Sequence, residues 1–240
     1  MIRKAMRFWS EETGLTALLI FLSFEMFLLF PLLQSGVLLG LINSAILSLL
    51  LLTGLLAITR HPVLRSASIL FVVVIIAVDW LREAGIQGFL LWDGLLSALG
   101  LAGLTVVVLW AVLREGPVTA HRIRGAIAAY LLLAVFFAYV YGLIEYVYPG
   151  SLRFPEGWQA GRGELHQGYL YFSVVTITTL GYGDITPIHP WARSAVMLEA
   201  IIGPLYLAIP VARLVSLGIE TRKPSPADGR SDNDETHSSA

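Results

Sequence analysis

The chain has 240 residues, of which 56% are hydrophobic and 14% charged, with a mean hydropathy of +0.74. A water-soluble domain charges about a quarter of its residues, so the composition predicts a protein that crosses a membrane several times. A net charge of −1 without a basic stripe gives nucleic acid no footing, and the absence of cysteine excludes disulfides, thiol chemistry and cysteine-held metals.

Crossing a bilayer takes about 20 apolar residues. Six apolar stretches are read as spans, at 14–33, 37–58, 66–81, 90–113, 123–148 and 191–217. The first follows a basic N-terminus, as in a signal peptide. Glu11 and Glu12 interrupt it, the apolar run is long, and no small-x-small cleavage site follows, so a retained helix is expected. Both termini then lie on one side. Twelve Lys and Arg residues fall on that side against four (Arg82, Arg153, Arg162 and Arg193) on the other, which predicts cytoplasmic termini. Trp80, Trp92, Tyr146, Tyr148 and Trp191 sit near the outer helix ends, as an interfacial belt does.

The first four stretches, 14–113, read as an accessory region behind a cytoplasmic N-terminus at 1–13. A charged voltage sensor needs several Arg or Lys along one helix, each contributing about 2.3 kcal/mol per 100 mV. Residues 95–113 carry none, and Arg114 is the first at the cytoplasmic end. Two acids within these spans, Asp79 and Glu25, are candidates for a role. Asp79 stands three residues before Arg82, at a spacing that lets them pair, with a sensing role as the alternative. Glu25 has no partner in its own helix and is open to an interhelical hydrogen bond or a proton- or ligand-sensitive role.

Gly116-Pro117 ends the fourth helix and opens a basic linker, 114–122. The remaining helices form a second region, 123–218, before a polar tail at 219–240 that reads as disordered. Within that region a polar outer loop, 151–163, leads to a seventh apolar stretch at 165–178, too short to cross. It ends in Thr176-Ile177-Thr178-Thr179-Leu180-Gly181-Tyr182-Gly183-Asp184. Two glycines around one residue permit dihedrals that a side chain forbids, so successive carbonyls can face one way instead of alternating as in a strand. Irregular backbone at membrane depth is tolerated only where it lines a water-filled or protein-walled path. The seventh stretch is therefore expected to be re-entrant. The last helix carries Gly203-Pro204 and Pro210, and the prolines are expected to bend it or to improve its packing. Glu199 in that helix is expected to pair with hydroxyls of the short helix or with Arg193.

Thr179-Leu180-Gly181-Tyr182-Gly183, with the preceding Tyr171-Phe172-Ser173 and the following Asp184, resembles the selectivity filter of the two-helix-pore potassium channels, in their prokaryotic six-helix form without a charged sensor. The resemblance covers roughly 123–218, and Leu180 replaces the family's valine. It implies an all-α membrane protein of six transmembrane helices plus a re-entrant pore helix and an extended filter, assembled as a homotetrameric pore. Carbonyls of Thr179, Leu180, Gly181 and Tyr182, with the Thr179 hydroxyl, would form the potassium sites. Gly183 completes the filter and Asp184 stands at its mouth. Ser173, Thr176 and Thr178 would support it from the pore helix, and that helix's C-terminal end would favour a cation. Gly203 matches the hinge glycine, with Pro204 beside it suggesting a fixed bend. Leu207, Val211 and Val215 would face the pore, Val215 at a hydrophobic constriction. Some members place a glutamate in the pore helix that bonds the mouth aspartate; here that position is Val175.

The resulting expectation is a potassium-selective channel subunit in the plasma or inner membrane, with lipid and its own copies as partners, potassium as the permeant ion and no cofactor. Alternatives are a weakly selective cation channel and a membrane sensor or scaffold with a vestigial pore. An intramembrane enzyme lacks a metal cluster or a nucleophile–base pair in the sequence. His166 and His189 flank the filter on the outer side and raise the expectation of an external pH effect.

Overall fold

The computed structural model describes residues 15–24, 26–27, 70, 73–78, 90–113, 120–156 and 162–220. The expected span at 37–58, Glu25, Asp79, residues 114–119 of the linker and the tail from 221 lie outside the described residues. The described elements are α1 (Leu15–Phe24), α2 (73–78), α3 (Leu90–Leu113), α4 (Ala120–Val147), β1 (Leu152–Arg153), α5 (Arg162–Ile177), β2 (Thr186–Pro187) and α6 (Pro190–Glu220).

α3 fills its expected range. α4 begins inside the expected linker at Ala120, and α6 runs on to Glu220, past the expected end of the second region. Neither boundary carries a break in composition sharp enough to place it from sequence. Among the described residues two helices, Arg122–Val147 and Pro190–Ile209, are long and apolar enough to cross a membrane. α5 has 16 residues. At 1.5 Å per residue it is about 24 Å long, short of a ~30 Å hydrocarbon core.

α4 is the helix on which the others pack. It is rich in alanine, the best helix former, and buries Ala128, Ala129, Ala134 and Ala138, whose small side chains let neighbouring backbones come close. α3 runs antiparallel to it: a Cβ on Gly94 would lie 2.6 Å from Leu143, and one on Gly125 would lie 2.8 Å from Val112. Leu18 and Leu22 of α1, Ile75 of α2, and Met26 just after α1 join the same buried cluster. The Arg124 guanidinium donates to Thr16 Oγ1 at 3.2 Å and ties α1 to the start of α4. The outer face of α3 leaves Trp92, Leu99, Val106 and Trp110 exposed, as a helix facing lipid does.

Pro149 stops α4, and Gly150 turns the chain with φ of 81°. Glu145 holds this turn, accepting from the Gly150 amide at 2.7 Å, the Ser151 hydroxyl at 2.6 Å and the Leu152 amide at 3.1 Å. β1 then pairs antiparallel with β2, Leu152 opposite Pro187 and Arg153 opposite Thr186. The all-α expectation missed this pair, because two residues carry no readable periodicity. Ile188 and His189 donate their amides to Ser151 O, and the His189 ring stacks on Tyr148 at 4.1 Å. His189 also accepts the Trp191 amide at Nδ1, 3.4 Å away, at the start of α6. The segment after the filter-like stretch is thereby fastened to the end of α4.

α6 is helical without interruption through Gly203-Pro204 and Pro210. Its inner face buries Ala192, Glu199 and Gly203, while Leu198, Ile201, Leu205 and Ile209 form an exposed apolar stripe at helical spacing. At Gly203 it meets the end of α5: a Cβ there would lie 2.3 Å from Ile177 O and 3.0 Å from Ile177 Cγ1. Gly203→Ala is expected to destabilise the protein by about 1–3 kcal/mol, since a backbone oxygen must move to admit the methyl group. Gly103, where a Cβ meets nothing within 4 Å, is the control. Gly103→Ala should hold or raise the thermal unfolding midpoint in detergent while Gly203→Ala lowers it.

Candidate functional site

The last four carbonyls of a helix have no partner within it, and each must find one if the end is to be buried. All four at the end of α5 do. Val174 O accepts from the Thr178 amide at 3.2 Å, Thr176 O from Thr179 at 2.9 Å, and Val175 O from Leu180 at 3.0 Å and Gly181 at 3.2 Å. Ile177 O accepts from the Tyr130 hydroxyl of α4 at 2.9 Å.

The Thr179-to-Thr176 and Leu180-to-Val175 bonds form a Schellman cap, which requires a left-handed residue at Thr179. Its φ is 60°. Glycine usually fills that position, and a β-branched residue there is strained by about 1–2 kcal/mol. Gly181 and Gly183 follow at φ of 56° and 78°. Every second residue from 179 to 183 is thus left-handed. Alternating left- and right-handed residues turn successive amides to one side of the chain and successive carbonyls to the other. The amides of residues 179–181 point back to α5, and the segment's carbonyls are left for other partners. The expected use of Gly181 and Gly183 agrees with this. Nothing in the sequence marks Thr179 for a left-handed backbone, since its residue type disfavours the conformation it holds.

Thr176 and Thr178 bond back to Phe172 O at 2.8 Å and Val174 O at 2.6 Å, within their own helix. Asp184 accepts the Tyr171 hydroxyl at Oδ2, 2.7 Å, and the Ile185 amide at Oδ1, 3.0 Å. With valine at 175, Tyr171 is the α5 side chain that holds this aspartate. Residues 178–184 are exposed in the single chain, Leu180 by 55% and Tyr182 by 68%, so the described residues leave them largely uncovered.

Behind this segment, a row of hydroxyl bonds joins α4 to α5 and α6. Tyr206 donates to Ala126 O at 2.8 Å, Tyr130 to Ile177 O at 2.9 Å, Ser173 to Ala134 O at 2.8 Å, and Tyr141 to Glu199 Oε2 at 2.5 Å. Ser173 Oγ also meets Glu199 Oε1. The rings of Tyr130 and Tyr206 lie 5.7 Å apart. Of the two partners expected for Glu199, the hydroxyl of the short helix α5 is the one it meets; Arg193 instead donates from Nε to Pro187 O at 3.3 Å. Sequence reasoning missed Tyr130, Tyr141 and Tyr206, and it named Tyr171 without giving it a partner. Their signal was available, because a tyrosine within an apolar helix must place its hydroxyl on a partner.

Gly203, Pro204 and Leu207 lie on α6, Gly203 buried and Leu207 48% exposed. Val211 and Val215 continue that helix, with side chains outside the described ones, as is the side chain of His166. Among the described residues no group of three His, Cys, Asp or Glu could hold a metal ion. The strain at Thr179 is testable. Thr179→Gly should leave the thermal unfolding midpoint unchanged or higher, and Thr179→Val, which keeps the β-branch, should not raise it.

A family model described as an ion channel matches residues 126–220, from the second turn of α4 to the end of α6. The potassium voltage-gated channel protein shk-1 of Caenorhabditis elegans is 44% identical over 46 residues, 19% of this chain and 9% of that protein. The inward rectifier potassium channel Kirbac3.1 of Paramagnetospirillum magnetotacticum is 51% identical over 39 residues, 16% of this chain and 13% of its own length. The chain therefore spans a small part of either relative. No solved structure matches it significantly. The match to an ion-channel family model thus covers residues 126–220, and both described helices long and apolar enough to cross a membrane fall mostly within it.

Proposed function

We propose that this protein is the subunit of a potassium-selective channel in the plasma or inner membrane, working as a homotetramer. The observation that carries the reading is the left-handed backbone at Thr179, Gly181 and Gly183, directly after a helix too short to cross. Each chain supplies one such strand. Four around an axis would stack rings of carbonyls from Thr179, Leu180, Gly181 and Tyr182 above the Thr179 hydroxyls, replacing the water around a dehydrated cation. Neutral carbonyl dipoles repay dehydration without holding the ion, which lets ions follow one another. Asp184, held by Tyr171, places negative charge at the mouth.

The exposed Leu180 and Tyr182 and the apolar stripe of α6 are surfaces that neighbouring copies would cover. The names of the two partial relatives, both potassium channels, support the choice of ion. In this reading the termini are cytoplasmic, and six spans surround a pore whose inner helix bends or gates at Gly203-Pro204 and closes along Leu207, Val211 and Val215. α3 carries no basic residue between Leu95 and Leu113, so opening does not depend on a charged voltage sensor. A weakly selective cation channel is the second reading, favoured by Leu180 in the filter and Val175 behind it.

Ion flux from liposomes holding the purified protein decides between them. Potassium inside and sodium outside should drive flux, and the sodium gradient alone should not. Equal flux under both gradients would establish the weakly selective channel. Silence under both would overturn conduction if Val215→Asp, which wets the proposed constriction, stays silent as well.

A further inference from the structure

The conduction reading leaves one buried group without a task. Glu199 is 0% exposed, in the middle of the contact among α4, α5 and α6. Its Oε2 accepts the Tyr141 hydroxyl, and its Oε1 meets Ser173 Oγ. Ser173 Oγ lies also 2.8 Å from Ala134 O. A serine hydroxyl has one proton, and a carbonyl can only accept. With an ionised carboxylate, Ser173 faces two acceptors with one proton, and one of the two contacts sets lone pair against lone pair. With a carboxylic acid every contact is filled: Glu199 donates to Ser173, Ser173 to Ala134 O, and Tyr141 to the second carboxyl oxygen.

The surroundings support the same state. The titratable groups near Glu199 are Tyr141 and Tyr130, both on α4. From α5 it faces the Ser173 hydroxyl, and Arg193, on its own helix, is exposed and turned to Pro187 O. An unpaired charge within an apolar helix bundle is costly, and a proton removes it.

We infer that Glu199 is held as a neutral carboxylic acid donating to Ser173, and that it acts as a positioning residue fixing α5, and so the strand after it, between α4 and α6. Glu199 and Gly203 are four apart on α6, and they meet Ser173 and Ile177, four apart on α5. Two contacts one turn apart prevent α5 from sliding or rotating on α6. Because the amides of Thr179 to Gly181 cap α5, a displacement of α6 reaches them through these two points. The functional half of this inference rests on the conduction reading; the protonation half does not.

Infrared spectroscopy of the protein in liposomes tests the protonation directly. A carboxylic-acid carbonyl band is expected at neutral pH that is lost in Glu199→Gln and shifted in Ser173→Ala, which removes its hydrogen-bond acceptor. Potassium flux tests the positioning. Glu199→Gln, whose amide can donate to Ser173 and accept from Tyr141, should keep sustained flux within about twofold of the parent, while Glu199→Ala loses about tenfold or more. No band assignable to Glu199, or a glutamine variant that folds yet fails as alanine does, overturns the inference. A protein that shows the band but passes no ions through either the parent or Val215→Asp overturns the conduction reading and leaves the neutral acid standing. The parent band and the Ser173→Ala shift decide the protonation even if Glu199→Ala does not fold.

Discussion

The bond from Tyr130 to Ile177 O is the point on which the described structure turns. A helix that stops inside a protein leaves four carbonyls unpaired, and the local chain can supply amides only to those its own turn can reach. Here the turn at Thr179 satisfies three. The fourth faces away from that turn, beside Gly203, and takes its proton from another helix. That one carbonyl therefore fixes where α4 must place a tyrosine and where α6 must have no side chain. Neither requirement could be met by a residue of α5.

The same logic extends along α4. Its buried face alternates small residues that admit neighbouring backbone with tyrosines that reach across, Tyr130 to α5 and Tyr141 to α6. Tyr206 returns the arrangement from α6 to Ala126 O. These bonds have direction where apolar packing has little, and they hold the three helices in one register. In an apolar surrounding an unmade hydrogen bond is costly, so each of them resists slippage more than an equivalent area of leucine contact does. The left-handed Thr179 can persist only because this frame over-determines it.

A separate set of contacts does the same for the segment after Asp184. Glu145 organises the turn that presents Ser151 O to Ile188 and His189, and Tyr148 lies against the His189 ring. The stretch from Thr179 to Asp184 is thus anchored at both ends, to α5 before it and to the end of α4 behind it. Among the described residues, the side chains of Leu180 and Tyr182 between those ends stay exposed.

Much of this architecture was legible in the sequence. Apolar runs of the right length located α3, α4 and α6, and the shorter run before two close glycines located α5 and the strand after it, because length and hydropathy follow from composition alone. The need of Glu199 for a partner was legible from its depth in an apolar helix, and the fold chose the α5 hydroxyl over Arg193. What the chain order could not express was decided by tertiary packing: the left-handed threonine, the reach of Tyr130 to Ile177 O, the glycine needed at Gly203, and the two-residue pairing of Leu152–Arg153 with Thr186–Pro187. Each depends on a partner many residues away. A local pattern shows only that a polar group needs a partner, and the fold decides which one arrives.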